Sequence, residues 1–387
     1  ASFDISARLC ESEELPTTTR YVTLSHCWGD KEFFKLTQHN HEILRQSIPV
    51  LSLQKTFQDA MFLALELGIA YLWIDSLCIV QDSYDDWLYE SKKMGGVYCY
   101  AECNIAATGY RDGTSGLFGE RAALPILHPT LPLKCVLFKE DFGGAEQHFN
   151  GFYTAADSLQ FELQVNRSIL NSRAWVAQER ALSPSIIHFT PEKVWWECSE
   201  MVADEAISSH KFFSTVQNRP GKTIRSLETD QKREIYRFWR RFALRYAGTR
   251  ITKSEDRFPA ASGIARVLEG MLNENYIAGF WEGDLVRSLL WRRTGVVHDI
   301  PPTQLAPSWS WAHMCGDVNN ELDHHFEDIE PLEGVQIKVL SEVPGFESDL
   351  KSLPIERSCV RGLAVKGPLR RLPPNLQSNL QDNVEMD

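Results

Sequence analysis

The residues best suited to chemistry near the start of the chain form one short block. Ser25, His26, Trp28 and Gly29 lie at the carboxyl end of a run of β-forming residues at 20–26. A glycine lets another group approach the backbone closely, and a tryptophan offers a flat apolar surface on which a planar ligand can stack. His26 and the cysteine after it resemble a nucleophilic pair, but neighbours on a strand point to opposite faces. We therefore predict that these four residues bind a ligand and that the cysteine is structural.

A second block is acidic and follows the apolar run 72–74. It contains Asp75, Asp82, Asp85 and Asp86. Carboxylate oxygens suit Mg²⁺ or Ca²⁺, but their spacing here does not match an EF-hand loop. Helix capping and turn formation account for much of the block. We predict no metal site and retain Asp75 and Asp82 as candidate ligand contacts.

Trp87 and Glu90 lie one helical turn apart in the helix that this acidic block introduces. In open α/β sheets, ligands bind outside the carboxyl ends of the strands, where the following helices begin. Glu90 is therefore a candidate catalytic carboxylate, with Trp87 as a ligand contact beside it. The alternative is that Glu90 pairs with Lys92 or Lys93 on a solvated helix face.

A dense polar block further along the chain contains Arg173, Gln178, Glu179 and Arg180 around Trp175. The two arginines are seven positions apart, which places them on one face of a continuous helix. That face could hold phosphate groups through bidentate contacts, so both arginines are candidate ligand contacts. The alternative is a buried ion-pair network that joins this helix to the acidic block.

Alternating patterns of strands and helices supply the frame for these residues. Runs at 20–26, 70–77 and 103–109 favour strands, and the last two are apolar enough for strands buried on both faces. Apolar residues recur at helical spacing in 53–68, where Gly68 suits the end of the helix. This alternation predicts an α/β domain in which helices flank a parallel sheet.

The second half of the chain gives a mixed pattern. Residues 172–182 favour a helix and 185–198 a β-hairpin, and 201–290 is mainly helical in pattern. From 305 onward short strands alternate with proline-rich connections, and Trp309 and Trp311 alternate as strand residues do. The polar tail 368–387 is expected to be poorly ordered.

Composition narrows the class of protein. The net charge of −12 argues against broad electrostatic binding to nucleic acid or to anionic membranes. The longest apolar stretch, 60–74, is short and contains Glu66, so no membrane span is expected. Nine cysteines without a CxxC motif argue against a disulfide framework or zinc site and favour the cytoplasm.

Several sequence motifs together resemble one family, the fungal heterokaryon-incompatibility (HET) domain proteins. They are YVTLSHCWGD, LQKTFQDAM, LGIAYLWIDSLCIVQD, DWLYESKKMGGVYCYA, GLFGER, RAWVAQERALS, YIAGFW and APSWSWAH. His26 stands where the family usually has an aromatic residue. The resemblance implies a HET domain at 1–200, with core motifs at 20–121 completed by 172–198. A helical and mixed extension then covers 201–387.

The family resemblance implies a role in fungal non-self recognition and programmed cell death. HET domains are also similar to the Toll/interleukin receptor (TIR) domain, a flavodoxin-like fold with a five-stranded sheet. Enzymatic TIR domains carry a glutamate in a setting like that of Glu90 and cleave NAD between nicotinamide and ribose. The resemblance therefore implies an NAD(P)+ nucleosidase that needs no cofactor and uses NAD or a related nucleotide as its substrate.

Two other functions remain open at this stage. The chain could be a non-catalytic signalling module that forms a homo-oligomer once an upstream sensor clusters it. It could also be an enzyme of fungal small-molecule metabolism, for which the residues select no substrate.

Overall fold

The architecture is taken from a computed structural model of the chain. The structure describes residues 5–119, 130–138, 146–154, 158–205, 224, 227–289, 291–293, 306–313, 318–319, 336–340 and 362–366. The chain divides into two compact units, Ala1–Asn273 and Glu274–Asp387. The predicted boundary near residue 200 is not the boundary between these units, because the first unit continues through two further helices.

A six-stranded sheet organises the first unit. Its strands are β1 (Tyr21–Ser25), β2 (Tyr71–Ile74), β3 (Cys103–Ala106), β6 (Ser185–Phe189), β7 (Val194–Cys198) and β8 (Val202–Asp204). They lie in the order β2-β1-β3-β6-β7-β8. The first four are parallel, and β7 and β8 continue the sheet in the antiparallel sense. The parallel strands therefore follow the 2-1-3-4 order of flavodoxin-like sheets, whose ligand crevice lies between β1 and β3.

The strands β4 and β5 form a separate antiparallel pair in the same unit. They span Thr130–Phe138 and Glu146–Thr154 and pair along their whole length. The pair falls between β3 and β6 in the chain and is not hydrogen-bonded into the six-stranded sheet.

Helices cover the sheet in the first unit. They are α1 (His41–Gln46), α2 (Lys55–Glu66), α3 (Asp75–Cys78), α4 (Tyr84–Tyr100), α5 (Ser158–Phe161), α6 (Ala174–Leu182), α7 (Lys232–Ala247) and α8 (Pro259–Leu272). The α2 helix packs Phe57 and Ala60 against Val22, Leu24 and Ile105 of the sheet. This burial of apolar side chains drives the association of α2 with the sheet.

The helices α4, α6 and α8 pack against one another as a group. At the crossing of α4 and α8, a Cβ atom added to Gly95 would lie 2.8 Å from the Cα atom of Gly263. The two helix backbones therefore touch, and larger residues would separate them. The Tyr98 hydroxyl of α4 donates to the Leu24 carbonyl oxygen at 3.3 Å, which fixes α4 to β1.

Most of the predicted elements of the first unit are confirmed. The strands β1 and β3, the α2 helix, the α6 helix and the β6–β7 hairpin occur where the patterns indicated. Gly68, just after α2, has a φ of +70°, as expected at a helix end. The prediction that β2 is buried on both faces is wrong, because β2 is an edge strand and three of its four residues are partly exposed.

The second unit contains short elements. They are β9 (Tyr276–Ile277), β10 (Phe280–Trp281), α9 (Leu285–Ser288), β11 (Arg292–Arg293), β12 (Val318–Asn319), β13 (Gln336–Leu340) and β14 (Gly362–Lys366). Trp309 and Trp311 lie in a turn and a 3-10 helix, so the predicted strand there is wrong. The Trp311 indole donates to the Gly279 carbonyl oxygen at 2.9 Å instead. The tail 368–387 lies outside the described residues.

Within the described ranges, every helix is too short or too polar to cross a lipid bilayer.

Candidate functional site

The carboxyl end of β1 presents polar groups on both faces of the sheet. On the face covered by α4 and α6, Ser25 is hydrogen-bonded to the Glu179 carboxyl group, and the Asn104 side-chain amide donates to its hydroxyl at 2.9 Å. All three residues are buried. They connect β1, β3 and α6 directly below the position where a flavodoxin-like sheet binds its ligand.

Glu179 is the acid most affected by this buried setting. Its pKa is raised to about 7, mainly by burial; the Ser25 hydrogen bond lowers the pKa, the Asp75 charge raises it and the Arg173 charge lowers it. Glu179 therefore exchanges its proton near neutral pH. The sequence prediction did not include Glu179 or Asn104 as site residues. The available signals were Glu179 within the polar block and a lone asparagine in the apolar strand β3.

His26 points to the opposite face, into the core beneath α2. Its ring lies edge to face against Phe57 at a centroid distance of 4.8 Å. Burial lowers the pKa of His26 to about 4, although the Asp75 charge opposes this. Within the described part of the chain, neither ring nitrogen has a hydrogen-bond partner. The nearest acid oxygen, on Asp75, is 3.7 Å from Nδ1, which is too far for a hydrogen bond.

Asp75 and Trp28 are two predicted site residues that are in direct contact through their side chains. The Trp28 indole N–H donates to Asp75 Oδ2 at 2.9 Å, and the backbone N–H of Ser76 donates to Oδ1 at 2.7 Å. Asp75 begins α3 at the carboxyl end of β2, and its side chain is 22% exposed. It is therefore an oriented carboxylate that solvent can reach.

Gly29 brings the loop after β1 against the loop after β3. Its φ is +72°, and an added Cβ would lie 2.5 Å from the Cβ of Asp112. The predicted close approach to Gly29 is thus made by the protein's own chain. This contact holds the loops at the carboxyl ends of β1 and β3 next to each other.

Trp87 and Glu90 lie in the first two turns of α4. Ser83 caps the helix by accepting a hydrogen bond from the Asp86 backbone N–H at 3.3 Å. The Trp87 ring lies edge to face against Trp175 of α6, with centroids 6.5 Å apart. Both tryptophans are partly exposed. The amino ends of α4 and α6 therefore meet through aromatic side chains.

Glu90 lies on α4 one turn beyond Trp87. Its carboxylate is 3.6 Å from the Lys93 ammonium, and its side chain is 19% exposed. This is the pairing with a nearby lysine that the sequence offered as the alternative to catalysis. Burial raises its pKa, the Lys93 charge lowers it, and the Asp86 charge raises it. The described contacts of Glu90 do not include Trp28 or either candidate arginine, so its catalytic role stays a prediction.

Asp82 lies in an exposed turn rather than among these groups. Its Oδ1 accepts the backbone N–H of Gln38 at 2.8 Å, and its carbonyl oxygen accepts the Gln38 side-chain amide at 3.1 Å. Asp82 therefore secures the loop that follows β1, and a ligand contact by Asp82 stays a prediction.

The two candidate arginines point to different partners. Arg173 precedes α6 in an extended conformation and donates to the His26 carbonyl oxygen. Arg180 forms a bidentate pair with Glu197 of β7, at 2.8 and 3.0 Å. The expected ion pair is therefore present. The prediction that the acidic partner of Arg180 lies in 75–86 is wrong, because the partner is Glu197. The two guanidinium groups do not share one face, because Arg173 lies outside the helix.

Arg180 belongs to a polar network on β6 and β7, which β3 separates from β1. Glu197 also accepts a hydrogen bond from His188 Nε2 at 2.9 Å, and Nδ1 of that histidine pairs with the Thr108 hydroxyl at 2.9 Å. Although burial raises the pKa of Glu197, Arg180 and His188 hold it well below its usual range. His188 is as buried as His26 but has partners on both nitrogens.

The described residues include no cluster of three or more metal-ligating side chains. The site therefore consists of acids, tryptophans and Arg173 at the carboxyl ends of β1 and β2.

The fold and site are those of an α/β domain with polar and aromatic side chains grouped at the carboxyl edge of a parallel sheet. Residues 21–179 match the family model described as Heterokaryon incompatibility protein (HET). This part of the chain is therefore a HET domain, and the match covers the sheet from β1 to β3 together with most of α6. No curated protein and no solved structure gives a significant match to this chain.

Proposed function

We propose that the HET domain hydrolyses NAD or a related nucleotide at the bond between nicotinamide and ribose. The observation that supports this most is the grouping of an oriented carboxylate and partly exposed tryptophans where parallel strands end. Trp28 and Asp75 are in direct contact there, and Trp87 meets Trp175 at the start of the neighbouring helices. Planar bases and a positively charged sugar carbon both suit such a set of groups.

In the proposed reaction, the bond between ribose C1′ and the nicotinamide nitrogen breaks. The bonding electrons go to the nicotinamide ring, which leaves as a neutral molecule, and C1′ becomes oxocarbenium-like. A carboxylate next to the ribose stabilises this positive charge, as in glycoside hydrolysis. Water adds to C1′ and releases a proton, so the products are nicotinamide and ADP-ribose.

Glu90 is the carboxylate that we assign to the ribose. It is partly buried with a raised pKa, which is typical of carboxylates in functional clefts. The stabilising form is the ionised one. Activity should therefore fall as the pH drops through the pKa of Glu90, at a higher pH than for an ordinary glutamate.

The test compares two variants of the same helix in a nicotinamide-release assay. Glu90→Gln removes the charge while it keeps the shape of the side chain. Asp85→Asn makes the same charge change at an exposed position of the first turn of α4. With NAD at millimolar concentration and chromatographic detection, we expect release by the wild type and Asp85→Asn but loss by about 100-fold in Glu90→Gln. Equal rates in all three proteins would refute the assignment.

We further propose that this hydrolysis serves fungal non-self recognition, in which depletion of NAD stops growth. The family match supports the setting, since the family is described by heterokaryon incompatibility. Induced expression in hyphae should lower cellular NAD and arrest growth with the wild type but not with Glu90→Gln. Arrest by Glu90→Gln with normal NAD levels would instead favour a non-catalytic signalling module.

A further inference from the structure

A lysine side chain lies between two aromatic rings beside the proposed site. The Lys35 ammonium is 4.8 Å from the centre of the Trp28 ring and 4.7 Å from the centre of the Phe33 ring. The two rings are nearly perpendicular, at 81°, with centroids 5.5 Å apart. Together they form two walls around one cation, and we call Trp28 and Phe33 the aromatic corner.

The aromatic corner is held in place by hydrogen bonds to the segment after β2. Asp75 fixes the Trp28 indole, as described above. The Leu36 backbone N–H donates to the Ser76 carbonyl oxygen at 2.9 Å, and the Leu36 carbonyl oxygen accepts the Gln81 N–H at 3.0 Å. The ring positions therefore do not depend on Lys35, whose flexible side chain can leave while the walls remain.

The chemistry of the corner favours a positively charged ligand. Aromatic faces attract cations through their quadrupole, and aromatic cages recognise quaternary ammonium groups in this way. The Asp75 carboxylate accepts the indole hydrogen, and so places negative charge at the edge of the Trp28 ring. In the described part of the chain, no carboxylate lies within ion-pair distance of Lys35, so only the rings hold its ammonium group there.

We propose that the aromatic corner is the subsite for the pyridinium ring of the substrate, and that Lys35 occupies it until the substrate displaces it. This inference rests on the proposed function, in which nicotinamide is the leaving group. The nicotinamide ring of NAD carries a positive charge and is planar, so it satisfies both the charge and the flat face of Trp28. Nicotinamide loses this charge on cleavage, and the neutral product is released from the corner.

The aromatic corner should affect the binding of the substrate rather than the rate at which the bond to ribose breaks. The positive charge leaves the pyridinium ring as the bond to ribose breaks, so the attraction is strongest before the transition state. An interaction of that kind lowers KM without raising kcat. Lys35 occupies the corner only in the free enzyme and is displaced in both the substrate complex and the transition state, so its removal should lower KM and leave kcat nearly unchanged.

The experiment measures binding of two small probes by ligand-observed NMR. 1-Methylnicotinamide carries the pyridinium charge, and nicotinamide is its neutral counterpart. Lys35→Met removes the competing cation but keeps an unbranched side chain. Lys31→Met makes the same charge change on the same loop, at an exposed lysine that does not lie over the corner. We expect Lys35→Met to bind 1-methylnicotinamide about two- to five-fold more tightly than the wild type.

The same comparison defines what would overturn the proposal. Lys31→Met should bind 1-methylnicotinamide like the wild type, and nicotinamide binding should not respond to either variant. An equal gain in both lysine variants, a loss in Lys35→Met, or no binding of the charged probe to any protein would overturn the subsite. Phe33→Leu provides a second check, because it should weaken binding of the charged probe alone.

Failure of the subsite and failure of the proposed function give different results. Nicotinamide release with an unchanged KM in Lys35→Met would overturn the subsite and leave the hydrolase intact. Selective binding of the charged probe without any nicotinamide release would support a pyridinium site and refute the hydrolase.

Discussion

Replacement of His26 by phenylalanine should stabilise the protein. His26 is 3% exposed, and its two ring nitrogens are unpaired within the described structure. An unpaired buried polar group costs about 1–3 kcal/mol, whereas an apolar ring of similar shape carries no such cost. Phenylalanine would keep the edge-to-face packing on Phe57 and suits a position where the HET motif usually has an aromatic residue. We expect a gain of about 1–3 kcal/mol at pH 8.

The gain in His26→Phe should grow as the pH falls. The unfolded chain binds a proton at His26 below about pH 6.5, but the folded protein does so only below about pH 4. Between these values the unfolded state holds more protons, so His26 lowers the stability of the wild type by about 1.4 kcal/mol for each unit by which the pH falls. At pH 5 this amounts to about 2 kcal/mol, which the variant does not lose.

Urea unfolding at pH 8 and pH 5, followed by circular dichroism, measures both effects. His188→Phe is the matched control, because His188 is equally buried but both of its nitrogens are hydrogen-bonded. It should lose about 2–3 kcal/mol where His26→Phe gains. A destabilised His26→Phe, or a gain that does not increase at pH 5, would refute the reasoning about unpaired nitrogens.

Further substitutions test the polar groups around β1. Glu179→Gln should remove the contribution of Glu179, which is a loss of about 3 kcal/mol as the pH rises from 4.5 to about 7, so the melting temperature of the variant should rise relative to that of the wild type across this range. Arg180→Met should lower the free energy of unfolding in urea by about 3–5 kcal/mol, because it leaves the buried Glu197 carboxylate without its guanidinium partner. Adding Glu197→Gln to this variant should restore part of that free energy, because it removes the buried charge. Gly29→Ala should cost about 1 kcal/mol or more beyond Gly68→Ala, since both have positive φ but only the first meets another side chain. Equal costs for the two alanine variants would show that the loop contact is unimportant.

The elements of the sheet could be predicted from the sequence because their signals are local. Apolar spacing within 53–68 indicates the α2 helix without knowledge of any distant residue, and the same holds for the β6–β7 hairpin. The position of β2 at the sheet edge could not be predicted in this way. An apolar run shows that a strand is partly buried, but strand order depends on contacts with residues far along the chain.

The candidate site was predicted less completely for the same reason. Glu179 has a raised pKa because it is buried, and its hydrogen-bond partner there, Ser25, lies 154 positions earlier in the chain. No spacing rule connects two such positions. The prediction that Arg173 and Arg180 lie on one face is wrong for a different reason. It assumed a continuous helix, but Arg173 has a ψ of 138° and lies before the first helical residue.

The two faces of β1 carry titratable groups whose effects on stability oppose each other. From about pH 4.5 to 6.5, His26 makes the wild type more stable as the pH rises, and Glu179 makes it less stable. Both slopes are about 1.4 kcal/mol per pH unit, so they cancel in the wild type. His26→Phe should therefore lose stability with rising pH in this window, and Glu179→Gln should gain it. The double variant should again show no slope from these groups. A slope in either single variant that is much smaller than about 1.4 kcal/mol per pH unit, or that lies outside this pH window, would show that the two groups are coupled through Asp75 and Arg173, whose charges act on both.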